Sequence, residues 1–180
     1  MKYFISFIAI VFFFFVGLLA YGRFLPQTFV FEQSINISSD ADTVYDELVD
    51  LENIRTWAPF LASLGLDNTA LTGAEYGAGQ IISWRRAQAP FETGVQEVLA
   101  VTSPYFVQSR FSSLTYEGSI IYAVSESLPS QGVTVLVRLD LDAGVFPYFD
   151  RIKLHRSKSA IDAELLQSLT RLKTVVERQR

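Results

Sequence analysis

Residues Tyr3 to Tyr21 read YFISFIAIVFFFFVGLLAY, nineteen consecutive positions without a charge. No other stretch limits the fold as tightly. At about 1.5 Å per residue a helix of this length reaches about 28 Å, near the hydrocarbon thickness of a bilayer. A buried core helix would carry polar residues along one face, and here only Ser6 interrupts the run. A cleaved secretory signal has a shorter apolar region and ends in a small-x-small site. This run ends Gly17-Leu18-Leu19-Ala20, with leucine two positions before Ala20. The reading is therefore an uncleaved single-pass anchor: residues 1–25 form the membrane helix and a turn, and residues 26–180 form a separate domain. The positive-inside count weighs the amino terminus and Lys2 against Arg23, which places the domain on the extracytoplasmic side. The absence of cysteine is compatible with that compartment.

The remaining 155 of 180 residues make one domain large enough to bury its own core. A formal net charge of −4 argues against nucleic acid as a partner, because a nucleic-acid binder normally presents a net-basic domain. The hydrophobic fraction of 49% is raised by the apolar run. Fifteen phenylalanines and eight tyrosines are still many. Those beyond the run suffice to line a core or an internal cavity.

Past Pro26 the chain alternates with a period of two. Phe29, Phe31, Ile35 and Ile37 share one face and Glu32, Ser34, Asn36 and Ser38 the other, as in a half-buried strand. Ser39 or Asp40 offers an N-cap, and Val44, Leu48, Leu51 and Ile54 then recur at helical spacing, with a break near Asp50 or Leu51 and a stop at Pro59. Gly65, Asp67, Asn68 and Gly73 mark a loop. Five strand-like runs follow, over 79–86, 93–102, 106–112, 119–127 and 133–142, separated by turn formers at Pro90, Ser103-Pro104, Glu117-Gly118 and Pro129 to Gly132. From Pro147 to Arg178 no glycine or further proline intervenes, and Ile161, Leu165, Leu169, Leu172 and Val176 step by three or four. Strands joined by short connections form an antiparallel meander, and the first strand must add to its edge or close the sheet. The long helix must bury its stripe on the concave face. The expected fold class is α+β, with a curved antiparallel sheet of about six strands, two short helices after the first strand and one long C-terminal helix.

That order resembles the helix-grip proteins of the START-like, or SRPBCC, superfamily, often labelled polyketide cyclase/dehydrase. The resemblance is carried by FEQSINI at Phe31 to Ile37, ADTVYD at Ala41 to Asp46, DLEN at Asp50 to Asn53 and WAPF at Trp57 to Phe60. It continues through YGAG at Tyr76 to Gly79 and Ser83-Trp84. The apolar run followed by Phe24-Leu25-Pro26 looks like a bacterial branch with an N-terminal anchor. The resemblance implies a cavity between sheet and helix that commonly holds an apolar ligand. It implies no single activity, since relatives include lipid carriers, cyclases and hydrolases, and it carries over no catalytic motif.

The chemistry must then be sought residue by residue. His155 is the only histidine and cysteine is absent, which leaves no set of soft or imidazole ligands for a metal, and nothing calls for a cofactor. His155 lies among Arg151, Lys153, Arg156 and Lys158, whose charge disfavours the imidazolium, and reads as a solvated helix residue. That basic cluster could touch anionic headgroups, or pair with Asp142, Asp150, Asp162 and Glu164. Asp40, Asp42, Asp46, Glu47, Asp50 and Glu52 crowd the first helices and read as caps and solvent-facing charges. Alternation sends Arg85 and Arg86 to opposite faces, so one of the two can enter a cavity. The candidate cavity residues are Trp57, Phe60, Tyr76, Trp84, Arg86 and Tyr122. The leading expectation is a small hydrophobic or amphipathic, lipid-like ligand. Two alternatives stand beside it: an enzyme of polyketide cyclase or hydrolase type acting on an apolar substrate, and a ligand-free envelope interaction protein.

Overall fold

The structure is a computed structural model that describes residues 2–58, 68–86, 92–113, 116–126, 132–143 and 147–179. Helix α1 (Lys2–Phe24) carries the apolar run. Its mean hydropathy of 2.6 over residues left unburied makes it, among the described residues, the one helix long and apolar enough to cross a membrane. The chain then extends into strand β1 (Thr28–Ile37), whose Phe29, Phe31 and Ile37 turn inward as the alternation requires.

Helices α2 (Ala41–Val49) and α3 (Leu51–Trp57) are separated by one extended residue, Asp50, with φ −100° and ψ 117°. Each start is satisfied by a carboxylate. Asp40 accepts the backbone N–H of Thr43 at 2.8 Å and its hydroxyl at 2.9 Å, and Asp50 accepts the N–H of Glu52 at 2.9 Å. Gln80 ties the break to the sheet. Its Oε1 accepts the Leu51 N–H at 2.7 Å while its Nε2 donates to Asp50 at 2.8 Å.

Six further strands follow: β2 (Thr69–Gly73), β3 (Gln80–Arg86), β4 (Glu92–Thr102), β5 (Phe106–Ser113), β6 (Tyr116–Glu126) and β7 (Val133–Ala143). All neighbours pair antiparallel, in the order β1-β7-β6-β5-β4-β3-β2. The first strand therefore adds to the far edge of the meander beside the last. Two local readings need correction. The segment marked as a loop up to Gly73 contains β2, a five-residue edge strand whose pairing with β3 supplies an order that TALTG does not encode by itself. The Glu117-Gly118 pair is not a turn, because β6 already begins at Tyr116 and Gly118 pairs with Leu141.

Helix α4 (Pro147–Arg178) lies across the concave face. Two clusters hold it. Towards its C-terminus Leu169, Leu172 and Val176 are buried with Val44, Leu48, Ile54 and Trp57 of the short helices and with Val133, Val135 and Val137 of β7. Towards its start Leu154 packs with Phe29, Phe31 and Leu141, joined by the half-buried Ile161. The opening turns of α4 also meet α1, where the Phe149 ring lies 5.7 Å from that of Phe15 and Gly22 abuts the Tyr148 backbone.

Hydrogen bonds from Thr43 hold the Asp40 carboxyl below its ordinary value. A lowered pKa contributes stability above the unfolded value near 4, and that contribution is lost as pH falls through the folded value. Asp40→Ala is expected to cost about 1 kcal/mol at pH 7 in urea unfolding followed by tryptophan fluorescence. The difference from wild type should shrink at pH 3.

Candidate ligand-binding cavity

Between helix and sheet, bounded by residues of both clusters, a cavity of about 390 Å³ remains. Its size falls in the range of small-molecule sites, roughly 300–1,000 Å³. The sheet wall is made by Trp84, Gln96, Phe111, Ile120, Tyr122 and Val137, and the helix wall by Leu154, Ile161, Leu165 and Leu169. Polar groups gather at the rim: Lys153, Ser157, Glu164 and Ser168 along one edge of α4, with Ser113 and Tyr116 at the ends of β5 and β6. The Lys153 ammonium lies 5.7 Å from the centre of the Tyr116 ring.

The register shows which way this rim faces. Tyr116 pairs with Ala143, and Thr28 pairs with Asp142. The Tyr116 and Lys153 end of the cavity is thus the end at which β1 begins, a few residues beyond α1. The two long helices meet at the same end, through Phe15 and Phe149.

Small residues in the sheet create the room. Trp84 pairs with Gly94, and a Cβ on Gly94 would run into the indole ring, so the indole lies flat across the neighbouring strand. Phe111 does the same over Gly118. Flat aromatic rings on a curved sheet give a smooth apolar wall without filling the interior.

Of the residues singled out from sequence, Trp84 and Tyr122 line the cavity. Trp57 is buried at the end of α3 and meets Tyr122 edge-on, with ring centroids 6.1 Å apart. Tyr76 lies outside the cavity, 51% exposed, and donates to Asp46 Oδ1 at 3.0 Å. Burial of its hydroxyl end and that hydrogen bond push its pKa up to about 12. Phe60 and the Arg86 side chain lie outside the described residues. Arg85 is exposed, as is His155. The acidic residues of α2 and α3 have structural work: Asp40 and Asp50 cap helices, Glu47 accepts Gln179 at 2.8 Å and Glu52 pairs with Arg55 at 3.1 Å. No group of three or more potential metal ligands occurs among the described residues.

Sequence reasoning missed Gln96, Ser109 and Phe111. Gln96 is 4% exposed and Ser109 is fully buried, both on the concave face. Burial alone drives the Tyr122 phenol pKa up from its ordinary value.

No family model matches the chain, and no curated protein matches it. Solved structures do. A protein of unknown function from Staphylococcus aureus superposes with a TM-score of 0.63 at 10% identity, over 84% of this chain and 95% of that one. A conserved protein from Geobacillus kaustophilus gives 0.62 at 10% identity, over 83% and 96%. Norcoclaurine synthase from Thalictrum flavum gives 0.60 at 11% identity, over 87% and 90%. At these identities the likeness establishes the fold alone, a helix-grip arrangement of curved antiparallel sheet and long C-terminal helix.

Two outcomes follow from the wall. Gly94→Val should drive the Trp84 ring off the sheet, costing about 1–3 kcal/mol and shifting the tryptophan emission. Because unfolded tyrosine releases its proton near pH 10 while folded Tyr122 holds it, stability should fall as pH rises beyond 10. Tyr122→Phe should flatten that fall by up to about 1.4 kcal/mol per pH unit, read from urea midpoints between pH 8 and 11.

Proposed function

We propose that this is a membrane-anchored helix-grip domain that takes up a small apolar or amphipathic, lipid-like molecule between its sheet and C-terminal helix. The observation that carries the reading is the mostly apolar cavity left between the two clusters that grip α4. In this reading residues 3–21 cross the membrane and residues 26–180 form the domain on the extracytoplasmic side. The rim with Lys153 and Tyr116 then faces the bilayer, where an ammonium beside an aromatic ring suits the headgroup layer.

A second reading, catalysis of polyketide cyclase type, draws support from the fold neighbours. They include a synthase and a protein of the dynemicin biosynthetic locus, the latter at 14% identity and TM-score 0.55 with this chain spanning 48% of its length. Against it, Glu164 and Lys153 stand at the rim, and among the described lining residues no carboxylate or imidazole reaches the interior. Proton transfer there would fall to a tyrosine whose proton is held tightly.

The test is native mass spectrometry with lipid extraction on the full chain released from membranes. One apolar molecule per chain is expected, and Leu165→Trp should displace it by filling the cavity. A protein that carries no such molecule and binds no added apolar probe would overturn the reading. Retention in the membrane pellet through an alkaline carbonate wash, lost on deleting residues 2–24, tests the anchor.

A further inference from the structure

Two polar side chains of the inner cavity wall, Gln96 and Tyr122, lie on one diagonal with Ser109 and Trp57, which stand outside the lining. Gln96 on β4, Ser109 on β5 and Tyr122 on β6 all face inward, and the register makes each a diagonal neighbour of the next: Gln96 pairs with Phe111, Ser109 with Val98 and with Ile120, Tyr122 with Val107. Trp57 closes the line from α3, with its ring against that of Tyr122. All four residues are at least nine-tenths buried. The Gln96 Nε2, the Ser109 Oγ and the Trp57 Nε1 find no hydrogen-bond acceptor among the described residues. Leaving a buried donor without an acceptor costs about 1–3 kcal/mol, and of the three the Gln96 Nε2 is the one that belongs to the cavity lining and that a molecule in the cavity can satisfy.

The patch is also uncharged. Gln96 offers an unpartnered N–H beside its own amide oxygen, and the described lining residues bring no carboxylate near it, since Glu164 stands at the rim on α4. No lysine or arginine of the described lining lies there either; Lys153 is at the rim. Donors without a formal charge, in a low-dielectric wall, suit an unionised oxygen better than a carboxylate, whose desolvation they would only partly offset.

We infer that the ligand carries a neutral acceptor oxygen, a ketone, ester or amide carbonyl, that receives the Gln96 Nε2 beside the Tyr122 hydroxyl, while its hydrocarbon part lies against Ile161, Leu165 and Leu169 on the helix wall. This rests on the cavity being a ligand site, and it adds the polarity of what enters.

The chain has two tryptophans, Trp84 in the cavity lining and Trp57 packed against the Tyr122 ring. Their emission reads the cavity without a label. The full chain in lipid nanodiscs is titrated with 2-undecanone and with undecane, in wild type and in Gln96→Leu, a substitution of similar volume. Both probes partition into the lipid identically for the two proteins, so the ratio between proteins isolates the cavity. The ketone is expected to lose about tenfold in apparent affinity in Gln96→Leu while undecane moves less than about twofold. Ser109→Ala should leave the ligand-free protein as stable as wild type or more so, because it removes an unpaired buried hydroxyl. Equal losses for ketone and alkane, or no loss for the ketone in Gln96→Leu, would overturn the inference while leaving the cavity as an apolar site. Failure of both probes to bind wild type would overturn the cavity reading itself.

Discussion

The grip of one long helix on a curved sheet governs the rest of this structure. A helix of 32 residues with a narrow apolar stripe cannot offset its ordering entropy alone. It becomes stable by laying Leu154 into the Phe29, Phe31 and Leu141 cluster at one end and Leu169, Leu172 and Val176 into the larger core at the other. The sheet depends on the same contact, because α4 covers its concave face over β1 and β7. The short helices α2 and α3 complete the larger core, and the Gln80 hydrogen bonds to Leu51 and Asp50 fix them to the sheet.

The curved sheet and the long helix leave a gap between them, lined by residues of both clusters. The gap is widened by flat-lying Trp84 and Phe111, which find room over Gly94 and Gly118. The cavity is therefore a geometric product of the fold, and its polarity is set by Gln96 and Tyr122 among otherwise apolar inner side chains. A buried donor left unmatched on its wall, the Gln96 Nε2, lowers stability, which is a common signature of a surface shaped for something other than folding.

Much of the architecture can be read from periodicity. Phe29, Phe31 and Ile37 on β1 and Val133, Val135, Val137 and Leu141 on β7 alternate cleanly, because one side of these strands is core and the other is not. The i, i+4 stripe of α4 is legible for the same reason. Strand β2 is not, since an edge strand of five residues draws its order from the partner β3. The start of β6 is obscured by Glu117-Gly118, a pair that suits a turn and here gives the Phe111 ring its space. In the site, Trp84 and Tyr122 stand out as aromatic residues on strands. Gln96 does not: inward Gly94, Gln96 and Val98 alternate with outward Val95, Glu97 and Leu99, so neither face of β4 shows a consistent polarity. Tyr76 suggests a lining residue by its ring, but its partner Asp46 lies thirty residues away and only the fold brings them together.

The placement of the cavity between the two gripping clusters bears on how such a chain can change over evolutionary time. A substitution at Gln96 alters what the wall presents without removing a member of either cluster that holds the helix, so binding preference can drift while the scaffold persists. Neighbours that share about a tenth of their residues with this chain yet superpose over more than four-fifths of it are what such modular tolerance would leave behind.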